Sequence, residues 1–193
     1  MSDEISRFGS VRLDDLPEDL RERIGAVAEK SGFVPNVFLA LGHRPDELRA
    51  FCDYHDALMD RDSGLSKAER ELVVVATSAA NHCTYCIVAH GAILRVRAKD
   101  AQLADIVAAN PWGAPLDPRW RAIVDLALSL ARDSERFGEP ELAAARQAGL
   151  TDEEIWDTGA ITAFFAMSNR LAQLMSLRPN DEFYLMGRVA RDG

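Results

Sequence analysis

No apolar run in this 193-residue chain approaches the roughly 18 residues that a membrane-spanning helix needs, so no transmembrane segment is expected. The N-terminus, Met-Ser-Asp-Glu-Ile-Ser-Arg, lacks the apolar core of a secretory leader. That predicts no signal peptide and a cytoplasmic protein. Excess positive charge is missing as well. Lys and Arg number 22 against 31 Asp and Glu, for a net charge of -9, which argues against nucleic acid and anionic membrane surfaces as partners. Cysteine is scarce. Three in a chain with no leader expected imply a reducing compartment, where a Cys pair is more often catalytic or metal-binding than a structural staple. Strand-like alternation of apolar and polar residues is also absent.

What is present has a helical period. Apolar residues make up 48% of the chain and charged residues 27%, the mix of a globular domain rather than a disordered segment. We expect an all-α fold, a bundle of about eight helices in one domain over 1–193. Residues 1–10 and 178–193 read as tails, and 65–99 holds the motif region. Ser66 and Glu69 have capping-box spacing, and the run Leu72 to Ala80 is apolar or small on nearly every side, which predicts a buried helix. Thr151-Asp-Glu-Glu154 starts a long helix from Ile155 to about Leu177. Its Trp156, Phe164, Phe165, Met167 and Met175 offer more apolar surface than one small core needs. The segments from Leu65 and from Leu116 echo each other weakly, with Ala122 opposite Glu71. Two similar halves and chance resemblance both remain open.

The chemistry concentrates between Glu71 and His90, in the pattern Glu-x11-Cys-x2-Cys-x3-His. If Cys83 to His90 is helical, Cys83, Cys86 and His90 fall within roughly 60° of one another. The two Cys Cα atoms then lie about 5 Å apart, within disulfide range, and Cys86 and His90 form an i,i+4 pair. A pair of thiols able to close, beside a base, is a redox arrangement. A helix start at Cys83 favours thiolate there, His90 can take a proton from Cys86, and Glu71 can orient His90. Glu71 is too far from Cys83 along one straight helix, about 18 Å, so a chain bend is expected at Asn81-His82. Three zinc ligands are the alternative, short of the fourth that a structural site needs. The other candidates are less specific. Cys52 reads as a small buried hydrophobe and His82 as a capping or surface residue. His55 is either a pocket residue or an ordinary histidine.

The Glu71/Cys83/Cys86/His90 pattern, with Asn81 before it and Gly91 after it, resembles the AhpD-like alkylhydroperoxidase family of the carboxymuconolactone decarboxylase superfamily. Gly32-Phe-Val-Pro-Asn-Val-Phe38 and Asn169-Arg170 match its peroxidase-related branch, and the likeness runs from about Pro17 to Asn180. The resemblance implies a thiol-dependent hydroperoxide reductase serving antioxidant defence. A dithiol protein or small thiol would act as reductant, no cofactor or metal would be needed, and the chain would assemble as a homotrimer or homohexamer. It favours Cys86 as the peroxidatic thiol, whereas the helix dipole favours Cys83. We take Cys86 as peroxidatic, Cys83 as resolving, His90 as base and relay, and Glu71 as its orienting group. The Gly32–Phe38 segment would help to wall the pocket. Asn169 and Arg170 either line the site or pair with Asp157 or Asp125. Some relatives carry His just before the second Cys; here that position is Tyr85, a poorer proton carrier at neutral pH. A thiol–disulfide oxidoreductase or redox sensor without efficient peroxide turnover is the alternative, and a zinc-stabilised interaction protein the third.

Overall fold

The computed structural model describes residues 4–188, which form ten α-helices with no strand among the described residues. They are α1 (Glu18–Ser31), α2 (Asn36–Leu41), α3 (Pro45–Met59), α4 (Lys67–Ala80) and α5 (Thr84–Ala98). Then follow α6 (Leu103–Ala109), α7 (Pro118–Arg132), α8 (Glu139–Gln147), α9 (Asp152–Met175) and α10 (Glu182–Leu185). Short 3-10 turns occupy Leu13–Asp15 and Pro111–Gly113. Eight of the ten helices have seven residues or more, in line with the all-α bundle expected.

Helix α4 is the axis of the bundle, packed by α5, α6, α7 and α9. Its sequence explains this position, because a helix apolar on every side has no face to offer water. Leu72, Val73, Val74, Val75 and Ala76 are wholly buried, and each large side chain among them contributes about 1.5–3 kcal/mol by leaving water. A charge at Val74 would break this axis. The start of α4 is tied to its neighbours. Ser66 and Glu69 complete a capping box, as do Thr151 and Glu154 at the start of α9. Arg119 of α7 then donates to both glutamates at 2.6 Å, joining three helix ends. Gly64 leaves room for this knot, since a Cβ there would press on the Glu154 side chain.

The expected bend is present. Helix α4 stops at Ala80, His82 adopts the left-handed conformation at φ 54°, and Cys83 caps the new helix α5, which folds back along α4. The amide of Cys83 donates to Ser78 O at 2.9 Å, so the turn is closed by backbone bonds.

Two expectations need correction. The ends are docked over their described residues rather than loose. Ser6 is buried, Arg7 N–H donates to Met175 O, and Arg178 N–H donates to Ile5 O. Asn180 bonds to the backbone of Val34 and Asn36, and Phe183 of α10 is buried edge-on to Phe33. Ile5 and Phe183 are apolar residues that cover the end of the core, which polar flanking sequence concealed; residues 1–3 and 189–193 lie outside the description. Second, the apolar surplus of α9 is smaller than it reads. Phe164, Phe165 and Met175 are core residues, and only Trp156 and Met167 of the five are exposed.

Candidate active site

The residues singled out in the motif come together at the α4–α5 turn. The Cys83 and Cys86 sulfurs lie 2.8 Å apart as free thiols, and both residues are buried. On α5, one turn beyond Cys86, His90 donates through Nδ1 to Oε2 of Glu71 at 2.8 Å. The bend achieves this contact between residues 19 apart in sequence. With the Nδ1 hydrogen held by the carboxylate, a neutral His90 keeps Nε2 as its proton acceptor. The His90 ring stands edge-on to Phe165, 4.7 Å between centroids, which fixes its tilt. The second oxygen of Glu71 faces Arg97, 4.0 Å away. Arg97 follows His90 by one heptad on the same helix face, a spacing that could have identified it.

Electrostatics distinguish the two thiols. Hydrogen bonding with Cys86 is the main influence on Cys83 and outweighs burial, with help from the Cys86 amide, Asn169 and His90. Together they draw the Cys83 thiol down to about 7. Cys86 is pushed strongly upward, first by its hydrogen bond to Cys83 and then by burial. When the pair holds one proton, the charge therefore rests on Cys83 and the hydrogen on Cys86. This agrees with the helix-dipole argument about where thiolate forms. No hydrogen bond runs directly from His90 to either sulfur among the described residues, so the i,i+4 spacing brings the ring near Cys86 without direct pairing.

Access distinguishes them in the other direction. A cavity of about 220 Å³, mostly apolar, is lined by Cys86 and His90 together with Phe165, Cys52 and His55. Pro35, Val37 and Phe38 also line it, so the Gly32–Phe38 segment does form part of its wall. Cys83 lies on a different, more polar depression, shared with His82, Thr84 and Gln173. The dithiol thus bridges two openings.

The remaining candidates divide. Asn169 is wholly buried, donates to Ser78 Oγ and accepts from Asn81 Nδ2, both at 3.0 Å, and stands behind the thiols. Arg170 is excluded: it is exposed and bonds to Ala166 O of its own helix. Neither pairs with Asp157 or Asp125, which are held by Arg70 and Arg121. Tyr85 is a structural phenol. Its hydroxyl accepts the Val37 amide at 3.2 Å, and burial pushes its pKa well above the ordinary value. His82 is an exposed turn residue, and Cys52 is buried with its thiol pushed up to about 11 by desolvation. Among the described residues no group of three or more His, Cys, Asp or Glu could hold a metal ion. No helix among them is long and apolar enough to cross a membrane. Sequence reasoning missed the pairing of His55 with Asp56, whose hydrogen bond joins adjacent residues on α3, because nothing in the motif points to that helix.

Comparison with known proteins agrees with this architecture. The family model of the carboxymuconolactone decarboxylase family matches residues 45–111, from α3 through the motif. No curated protein matches the sequence. The structure is similar to that of an uncharacterized peroxidase-related protein from Ralstonia eutropha JMP134, an alkylhydroperoxidase AhpD core. The TM-score is 0.96, with 56% identity over 98% of this chain and 100% of the other. A second peroxidase-related protein, from Silicibacter sp. TM1040, gives 0.90 with 36% identity, covering 97% of this chain and 100% of the other. The debrominase Bmp8 shares the fold alone, at 0.78 with 17% identity over 95% of each chain. At these levels of identity and coverage, the chain belongs to the carboxymuconolactone decarboxylase family, among its AhpD-like, peroxidase-related members.

Proposed function

We propose that this protein is a thiol-dependent reductase of hydroperoxides, with Cys86 peroxidatic, Cys83 resolving, His90 the base and proton relay, and Glu71 its orienting group. One observation carries the reading. Two sulfurs 2.8 Å apart bridge two openings, Cys86 with His90 on the apolar cavity and Cys83 on the polar depression. The pair first loses one proton, with His90 as acceptor. The Cys86 sulfur then attacks the terminal oxygen of ROOH while its hydrogen passes along the S–H···S contact to Cys83. The O–O bond breaks, the alkoxide takes up a proton and leaves as alcohol, and Cys86 becomes a sulfenic acid. Cys83 displaces the hydroxyl as water and closes the disulfide. A dithiol protein or small thiol, arriving at Cys83 from the polar side, reduces it. In sum, two thiols give two electrons and two protons, and the peroxide becomes alcohol and water.

Trp156, Met167 and Leu174 form an exposed apolar stripe along one face of α9, which supports assembly as a homotrimer or homohexamer. Tyr85 favours a second reading, a thiol–disulfide oxidoreductase or redox sensor, because its buried phenol is locked to Val37, keeps its proton at neutral pH and so relays none.

Mass spectrometry of the Cys83–Cys86 pair after peroxide treatment, beside peroxide consumption with a thiol reductant, tests the choice. The wild type is expected to form the disulfide and turn over. Cys86→Ser is expected to abolish the reaction. Cys83→Ser should undergo one oxidation that stalls at sulfenic or sulfinic acid. Full turnover by Cys86→Ser would reverse the assignment, and disulfide exchange without peroxide consumption would favour the second reading.

A further inference from the structure

We infer that His55 is the proton donor to the leaving oxygen of the peroxide, a second imidazole serving the cavity that holds Cys86 and His90. This rests on the hydroperoxide reading above. His55 lies on α3, outside the motif, yet lines the same cavity. Its ring and that of His90 both stand edge-on to Phe165, with centroids 6.3 and 4.7 Å from it. Like His90, it is backed by a carboxylate: Nδ1 donates to Oδ1 of Asp56 at 2.9 Å. Asp56 is itself clamped from a different helix, where Arg23 donates to its Oδ2 at 2.6 Å and to Asp53 at 2.6 Å. A surface histidine needs no such support. A carboxylate–imidazole pair, anchored by a guanidinium and opening on an apolar cavity, is built to hold the ring in one orientation.

The chemistry calls for such a group. Cleavage of the O–O bond in an alkyl hydroperoxide expels an alkoxide, a strong base and a poor leaving group, into a mostly apolar space. It must be protonated as the bond breaks. His90 takes up the thiol proton beside Cys86, a second imidazole lines the same cavity, and Tyr85 is locked to the Val37 amide with its hydroxyl hard to ionise. His55 supplies the missing proton through its free Nε2–H. The proton passes to the alkoxide oxygen, and the neutral ring is recharged from solvent, since His55 is only partly buried.

A general acid matters in proportion to how poor the leaving group is, which separates this role from a structural one. The rate of Cys86 oxidation is to be measured with tert-butyl hydroperoxide, which expels an alkoxide, and with peracetic acid, which expels the far weaker base acetate. His55→Gln is expected to lose roughly 10²-fold with the alkyl hydroperoxide and less than about threefold with the peracid. Asp56→Asn, which keeps the ring but removes its anionic partner, should show the same selectivity at smaller size. It serves as the second variant should His55→Gln fail to fold. Equal losses with both oxidants, or no loss with either, would overturn the proposal while leaving the hydroperoxide reading intact. Failure of the wild-type dithiol to react with either peroxide would overturn both.

Discussion

Arg70 and Glu71 are adjacent on α4, both charged and both buried, yet they serve opposite ends. About 100° of helix rotation separates them, so they face different neighbours. Arg70 enters a closed network. It donates to the carbonyls of Leu58 and Arg61, to Ser63 Oγ and to Asp157, and none of these partners borders the cavity. Glu71 pairs with His90, whose ring borders the cavity. Burial of a charge therefore says little about its role. The role depends on whether the chain of partners ends in packed protein or at a space that a reactant can enter. The same contrast applies to the two thiols, one bordering an apolar cavity and the other a polar depression.

The comparison can be broken from either side. The largest effect is expected at Arg70. Arg70→Met leaves Asp157 buried without its main counter-charge, at a cost of about 3–5 kcal/mol. For a chain of this size that corresponds to a fall in melting temperature of roughly 6–20 °C. Peroxide oxidation of the dithiol in the folded fraction should keep its wild-type rate; a thermal melt beside stopped-flow kinetics checks both, and a slowed rate would erase the distinction.

Glu71→Gln should do the reverse. It keeps the shape and a hydrogen bond to His90 but removes the charge that steadies the ring. We expect oxidation to slow by roughly 10²-fold, about 2.7 kcal/mol of barrier, with a small change in melting temperature. If Glu71 were only a buried packing residue of α4, its replacement would change stability and leave the rate alone. Normal kinetics in a slightly less stable variant would remove it from the site.

The smallest effect concerns pH. With Cys83 drawn down to about 7, alkylation of the pair by iodoacetamide should rise about tenfold per pH unit below 7 and level off above it. A midpoint near 8.5, the ordinary thiol value, would show that the pair is not coupled. Stability depends on the same ionisations. The contribution of Cys83 is complete above about 8.5, where the unfolded thiol also ionises, and is lost as pH falls through about 7. Cys86, raised rather than lowered, has the opposite sign: its contribution is complete below about 8.5, where the unfolded thiol is still protonated, and is lost progressively as pH rises above that.

Much of the site was legible in short stretches of sequence. The spacing of Cys83, Cys86 and His90 needs only the pitch of one helix, and the capping residues Ser66 and Thr151 act within a single turn. Even the bend at Asn81-His82 followed from asking how Glu71 could reach His90. Arg170 was misread because neighbouring residues on a helix diverge by about 100°: Asn169 turns into the core and Arg170 out to solvent. The docked ends were missed because Ser6 and Asn180 are polar, and polar residues look like tail until their backbone partners are known.

The sequence by itself determined the helical class, the buried axis of α4, the dithiol spacing and the membership of Glu71 and His90 in one motif. The first three rest on periodicity or on contacts within a turn or two of helix, and the last on resemblance to a known family. Only the tertiary structure decided that Cys86 and Cys83 border different openings, that Asn169 stands behind them, and that His55 shares the cavity with Cys86. Those relations join α3, α5 and α9, residues tens of positions apart. They are set by how whole helices pack, which no local pattern of side chains specifies.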